Sequence, residues 1–264
     1  MSIDDVKTHA RQALTRSAAP GAPTATPALP DFSHWGPVER EPMTRVRRAV
    51  ARRMSLAWQT VAHVTQHDRT DVSEFEAVRK TVKKTSPDLP LTVTALAVAV
   101  VAAALKAFPK FNASLDTERS EIIYKGYINI RVAVNSERGL VVPVIREADQ
   151  KSLGALSTEI AILADKVRTR KATPQNLEGG TFTITNLGGL GGTSFTPIVN
   201  YPEVAILGLS RTAPSPVYVN DRFEPRPILP LSLSCDHCLI DGANGVRFLR
   251  WIATRLEHPL LLEL

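Results

Sequence analysis

The sequence predicts an α/β protein in which a mixed sheet is covered by helices. Three observations carry that reading. Helical and strand patterns alternate along the chain, and the final third is rich in apolar runs of strand length. Apolar residues make up 44% and charged residues 22% of the 264, the balance of a globular chain with a sizeable core.

Ser2 to Leu14 reads as a short helix, with Ser2 placed as an N-cap and Asp4 and Asp5 in its first turn. Ser17 to Pro30 sets Pro20, Pro23, Pro27 and Pro30 among alanines, a composition that favours an extended, semi-rigid linker. The organisation expected is therefore a terminal helix over 1–16, a linker over 17–30 and a compact domain over 31–264. Within that domain Arg45 to Thr60 has Val46, Val50, Met54 and Ala57 at helical spacing, and His63 to Val72 reads as a strand. Ser73 to Lys84 is a helix in which Ser73 and Glu76 match a capping box. Leu91 to Phe108 is a helix stopped by Pro109. Strands follow at Glu121 to Lys125, Tyr127 to Val134 and Leu140 to Ile145, the last two joined by turn residues Ser136 to Gly139. A long amphipathic helix covers Lys151 to Arg170. Thr181 to Asn186 alternates threonine with apolar residues and reads as a half-buried strand. Val204 to Leu209 and Ile228 to Cys235 are apolar strands, and Gly242 to Leu256 is again helical.

Several function classes are disfavoured by the same sequence. The run from Leu91 to Phe108 carries Thr92, Thr94 and Lys106 and is mostly Ala and Val, so it reads as a core helix rather than a membrane span of about 20 strongly apolar residues. The start, Met-Ser-Ile-Asp-Asp, is acidic and lacks the apolar stretch of a secretory signal. Two cysteines cannot build a disulfide framework, and a cytoplasmic location is expected. The net charge of +6 comes largely from Arg40, Arg45, Arg47, Arg48, Arg52 and Arg53. No nucleic-acid-binding motif accompanies them, and pairing with carboxylates or phosphate-bearing small molecules explains them as well.

Chemistry is concentrated in Leu229-Pro-Leu-Ser-Leu-Ser-Cys-Asp-His-Cys-Leu-Ile-Asp-Gly-Ala. A buried strand runs straight into His237 and then into a helix, and such a junction can present a reactive side chain at a sheet edge. A histidine there can remove a proton near neutral pH and return it in the same cycle. Cys235 and Cys238 form a C-x-x-C, but a structural zinc site needs four ligands and no second cysteine pair exists, so no metal is expected. Thioredoxin-type dithiols sit at a helix N-terminus, not at a strand end. Gly188-Gly-Leu-Gly-Gly192 has neither the lysine of a P-loop nor dinucleotide-binding spacing, and is read as a loop lining a substrate channel. His63 and His67 receive no role.

His-Cys-Leu-Ile-Asp-Gly resembles the His-x-x-x-Asp-Gly signature of the dihydrolipoyl acyltransferases of 2-oxoacid dehydrogenase complexes and of chloramphenicol acetyltransferase. Further blocks extend the resemblance over Asp31 to Leu264: Asp31-Phe-Ser-His-Trp-Gly-Pro-Val-Glu, Ala62-His-Val-Thr-Gln, Phe111-Asn-Ala-Ser-Leu, Gly139-Leu-Val-Val-Pro-Val-Ile, Gly180-Thr-Phe-Thr-Ile-Thr-Asn-Leu-Gly-Gly and Pro197-Ile-Val-Asn-Tyr-Pro-Glu-Val-Ala-Ile-Leu-Gly. Met1 to Leu14 is similar to the last helix of the peripheral-subunit-binding domain of these proteins. The resemblance implies a chloramphenicol-acetyltransferase-like fold and a coenzyme A-dependent transfer of an acyl group, acetyl before succinyl or branched-chain, to or from a dihydrolipoyl thiol. It implies His237 as general base, Thr185 as donor to the oxyanion, and Asp241 as the carboxylate that pairs with an arginine, sought within 45–53, to shape the loop. Gly242 is expected to let the backbone turn tightly there.

The resemblance further implies a homotrimer with the site between subunits, His237 facing Thr185 of a neighbour. The trimers would join through the C-terminal tail into a cubic or icosahedral core that works with a 2-oxoacid decarboxylase and dihydrolipoyl dehydrogenase. The lipoyl group is expected on a domain outside these residues. Three positions depart from the family pattern: Cys238 stands where arginine is usual, Thr185 where serine is frequent, and Ala62 where most relatives have proline. A non-catalytic scaffold subunit is disfavoured by the presence of His237, and a free-standing acyltransferase by the binding-domain-like helix.

Overall fold

The computed structural model describes residues 28–136 and 139–262. The helix expected at Ser2 to Leu14 and the linker up to Pro27 lie outside those residues. Two compact units are present, Met1–Thr44 and Arg45–Leu264. The described part of the first contains one 3₁₀ turn, Phe32–His34, whose free amides are met by the Asp31 carboxylate accepting from Ser33 N.

The second unit holds five α-helices and eleven strands among its described residues. In chain order these are α1 (Arg45–Thr60), β1 (His63–Asp71), α2 (Ser73–Thr85), α3 (Val93–Ala107), β2 (Ala113–Asp116), β3 (Glu121–Tyr124), β4 (Ile130–Val132), β5 (Val134–Ser136), β6 (Gly139–Val141), β7 (Val144–Ile145), α4 (Leu153–Arg168), β8 (Phe182–Asn186), β9 (Ala205–Leu209), β10 (Ala213–Val219), β11 (Arg222–Asp236) and α5 (Gly242–Glu257). The main sheet runs β1-β11-β9-β8-β4-β7, with β10 folded back on β11. β8 pairs in parallel with β9 and β4, and the other pairs are antiparallel, so the sheet is mixed.

Its two faces differ in chemistry because strand side chains alternate. Phe182, Ile184, Leu207, Leu209, Leu231, Leu233 and Cys235 point into the main core. There they meet α3 and α5, with Phe111 stacked on Phe248 at 3.8 Å between ring centroids. α3 is buried around nearly its whole circumference, which decides its fold. Valine lowers helix propensity by up to about 0.7 kcal/mol relative to alanine, but burying such a side chain contributes about 1.5–3 kcal/mol. Val98, Val100 and Val101 are all fully enclosed. Thr92 caps this helix by accepting from Ala95 N, and no helix among the described residues is long and apolar enough to cross a membrane.

Local details differ from the sequence reading where a partner intervenes. Ser73 is the first residue of α2 and not its cap. The Asp71 carboxylate accepts from both Ser73 N and Ser73 Oγ, and Glu76 pairs instead with Arg79. The stretch 127–145, read as two strands, is divided into four. β4 and β7 join the main sheet, while β5 and β6 form a separate hairpin between them. β10 and the first half of β11 were not expected, because Pro214, Pro216, Pro225 and Pro227 interrupt the pattern. They form a ladder in which Pro214 faces Pro227 and Pro216 faces Pro225.

Candidate active site

The strand β11 delivers His237 to the surface. Asp236 is the last strand residue, in register with His63 of β1, and its N–H donates to Val204 O at 2.9 Å. The next four residues make a tight turn. Leu239 N and Ile240 N both donate to Asp236 O, at 3.1 and 2.9 Å, and α5 follows. The His237 imidazole is exposed and makes no hydrogen bond with any described residue. Cys235 points the opposite way into the core, and Cys238 is exposed. These thiols do not act as a pair.

Burial pushes the Cys235 thiol up to about 12, and burial together with the Asp236 carboxylate also pushes Cys238 up. Alkylation of the native protein at pH 8 is therefore expected to mark Cys238 alone, more slowly than a free cysteine, with Cys235 labelled only after unfolding. Peptide mapping by mass spectrometry checks this, and native labelling of Cys235 would contradict its placement.

Asp241 caps α5, its carboxylate accepting from Asn244 N at 2.8 Å and Asn244 Nδ2 at 2.7 Å. Among the arginines of 45–53, in which its partner was sought, one is seen bonded elsewhere. Arg53 donates to Asn200 Oδ1 and Tyr201 O. Gly242 does not adopt a left-handed conformation, and a Cβ there would meet only Gln66 Nε2 at 3.9 Å. Gly245 is more closely packed, since a Cβ there would lie 3.0 Å from Gln66 Oε1 and press on that side chain.

Thr185 lies on the sheet face opposite the main core. It is 8% exposed, so the strand read as half-buried is closed on both faces. Two features bury the threonine side. Thr183 Oγ1 donates to the enclosed Glu203, and Phe195 lies over Gly208, where a Cβ would come within 2.5 Å of the ring. Gly208 is the direct partner of Thr185 across β8 and β9. The Thr185 hydroxyl itself makes no hydrogen bond with any described residue. On the same face a cavity of about 520 Å³ is lined by His67, Arg69, Thr193, Ser194, Arg211 and Ser215, among others.

One chain does not bring Thr185 and His237 together. Thr185 is level with Gly208, which is level with Ser232 on β11, five residues before His237. Five residues of strand rise and two strand spacings separate their backbones by on the order of 19 Å. A reaction needing both groups at one carbonyl must draw them from two copies.

Sequence reading gave no role to three groups that shape this region. His63 Nδ1 donates to Val61 O while its Nε2 accepts from Val199 N, so it is the neutral tautomer, stacked on Trp58. Glu203, 2% exposed, accepts from Arg131 Nε at 2.7 Å, from Asn200 Nδ2 at 2.9 Å and from Thr183. Asp236 anchors the turn at His237. A histidine or carboxylate inside an otherwise apolar segment was the one available sign for each.

Residues 36–264 match the family model described as 2-oxoacid dehydrogenases acyltransferase (catalytic domain). The chain belongs to this family. Acyltransferase-family relatives include the dihydrolipoyllysine-residue acetyltransferase component of the pyruvate dehydrogenase complex of Pseudomonas aeruginosa, 43% identical over 93% of this chain and 46% of that protein. The corresponding component of Azotobacter vinelandii is 46% identical over 83% of this chain and 34% of that protein. The chain thus spans less than half the length of these two relatives. The solved structure of A. vinelandii dihydrolipoamide acetyltransferase, 42% identical, superposes with a TM-score of 0.87 over 90% of this chain and 100% of that one. In that enzyme a serine, a histidine and an asparagine were investigated for their role in the catalytic mechanism, the serine 52 residues before the histidine and the asparagine four after it. The cubic core of the pyruvate dehydrogenase multienzyme complex, 43% identical, superposes equally well.

Proposed function

We propose that this chain transfers an acetyl group between coenzyme A and a dihydrolipoyl thiol, at a site completed by two protomers of a trimer. The observation that carries the reading is the separation on one sheet of an exposed imidazole from a threonine hydroxyl, neither of which is hydrogen-bonded to any described residue. Thr185 precedes His237 by 52 residues and Asp241 follows it by four, the same intervals as the residues investigated in the A. vinelandii enzyme. The relatives named above are acetyltransferases, which supports acetyl over the succinyl or branched-chain alternatives.

In the forward step His237 takes the proton of the attacking thiol. A thiol with a pKa near 8.5 is only a few per cent thiolate at pH 7, so a positioned base raises the reactive fraction. The thiolate sulfur bonds to the thioester carbonyl carbon, and the carbonyl electron pair moves onto oxygen. The Thr185 hydroxyl of the adjacent protomer donates to that oxyanion. As the carbonyl re-forms, the original carbon–sulfur bond breaks and the leaving thiolate takes the proton from the His237 imidazolium. The base returns neutral, and the acceptor thiol is the nucleophile, so no acyl-enzyme forms. Thr185 differs from serine in being stiffer at χ1, which suits a hydroxyl that holds one direction.

Arg69 and Arg211, which line the cavity on the same sheet face as Thr185, make no ion pair with any described residue and fit the phosphates of coenzyme A. Asp241 helps to shape the loop through its cap on α5. The lipoyl arm, the decarboxylase and the dihydrolipoyl dehydrogenase would be supplied by other domains and subunits, with the C-terminal tail joining trimers into a larger core. The test is acyl transfer to free dihydrolipoamide by the assembled oligomer, comparing acetyl-, succinyl- and isobutyryl-coenzyme A. The acetyl donor is expected to give the highest kcat/KM. Transfer no faster with any donor than in buffer would overturn the reading.

A further inference from the structure

A reactive imidazole that makes no hydrogen bond with any described residue has to be aimed by its backbone. At His237 that backbone is held by two residues, Asp236 and Ala62. His237 N donates to Ala62 O at 2.8 Å. Ala62 N donates back to Asp236 Oδ1 at 3.2 Å, and the same oxygen accepts from Cys238 N at 3.1 Å. The Asp236 carboxylate therefore bridges the residue after the histidine to the segment between α1 and β1. The Asp236 main chain completes the clamp, its N–H on Val204 O and its carbonyl accepting from Leu239 and Ile240.

The carboxylate is almost enclosed, and its Oδ1 accepts from two amides and no cation. Charge-assisted bonds of this kind are about twice as strong as neutral ones. The Ala62 amide matters in its own right, since a proline at this position could not donate. The turn also needs an acceptor at 236, because the Cys238 amide otherwise points into the bend without a partner.

We infer that Asp236 is a positioning residue for the acyl-transfer reaction, its Oδ1 fixing the His237 turn by accepting from the Ala62 and Cys238 amides. It acts as an acceptor of fixed direction, not as a second base. This rests on the reading of His237 given above. Misplacement of a reacting group by about 1 Å can lower a rate on the order of 100-fold, so the effect falls on kcat and leaves thiol binding unchanged.

The experiment uses the assembled oligomer with acetyl-coenzyme A and dihydrolipoamide, and compares Asp236→Ala, Asp236→Asn, Ala62→Pro and His237→Ala. Asp236→Ala is expected to lower kcat by roughly 10- to 100-fold, with KM for each substrate within about twofold. Asparagine keeps an acceptor oxygen and is expected to recover most of that loss. Ala62→Pro removes one of the two donors and is expected to lower kcat by up to about tenfold, again without moving KM. Should Asp236→Ala fail to assemble, the asparagine and proline variants carry the test. If His237→Ala is inactive while the Asp236 and Ala62 variants keep the wild-type kcat, the clamp is overturned and the reading of His237 stands. If asparagine is as impaired as alanine, the charge and not the acceptor is at work, and the inference also fails. A fully active His237→Ala would remove the acyl-transfer reading itself.

Discussion

His237→Ala is expected to lower kcat for acetyl transfer by roughly 10²- to 10⁴-fold, the range that positioned acid–base groups contribute. Thr185→Ala is expected to lower it by roughly 10²- to 10³-fold through loss of one oxyanion donor. The sharper expectation concerns mixtures. If each site takes its base from one protomer and its hydroxyl from the next, a trimer built from both variants contains an intact site. That site lies where a Thr185→Ala chain, which keeps His237, meets a His237→Ala chain, which keeps Thr185. Refolding the two inactive proteins together should therefore restore a measurable fraction of wild-type activity, while refolding each alone should not. A single-chain site predicts no recovery, because every chain lacks one group. The separation of about 19 Å along and across the sheet makes recovery the expected result.

Arg131→Ala is expected to be the most damaging single change to stability outside the main core. Arg131 Nε bonds to Glu203 and Nη1 to Leu177 O, linking β4, the segment after α4 and the segment before β9. Burial raises the Glu203 carboxyl above its ordinary range, and Thr183, Arg131 and Asn200 offset only part of that rise. Without the guanidinium an enclosed carboxylate loses its cation, a loss of about 3–5 kcal/mol for a buried pair. In a unit of this size that lowers Tm by on the order of 10 °C. Replacing both partners by apolar residues, Arg131→Met with Glu203→Leu, should cost much less than the two single changes added together. Thermal unfolding of the four proteins measures the cycle. Additive losses would show that the two side chains act independently. Activity should also fall, since Val204, next to Glu203, supplies the carbonyl that holds Asp236 N.

Elements whose own residues decide their structure were legible in the sequence. α3 followed from an apolar run between Thr92 and Pro109, and α5 from its periodicity after Asp241. β8, β9 and the second half of β11 followed from short runs of alternating or continuous apolar residues. Elements decided by a partner were not. The β10–β11 ladder is hidden by its prolines, and β5 and β6 separate from the main sheet only because each finds the other. Ser73 enters α2 as its first residue and not as its cap because the Asp71 carboxylate takes both its amide and its hydroxyl.

The candidate site divides in the same way. His237 stood out because an ionisable side chain at the end of an apolar strand has a local signature, and Thr185 because of the strand block that contains it. Asp236, Glu203 and Arg131 left no comparable mark. Their roles depend on distant partners, Ala62 for Asp236, 174 positions away, and Arg131 and Glu203 for each other, 72 apart.

By itself the sequence determined the α-helices, the apolar strands β8, β9 and the second half of β11, and which imidazole stands at a strand end. Only the tertiary structure decided that the turn carrying this imidazole is held by a carboxylate beside it, and that the hydroxyl proposed to assist it lies far off on the same sheet. The physical reason is that hydrophobic alternation is written between neighbours a few residues apart. A buried hydrogen bond needs two groups that the chain brings together only after the sheet has formed.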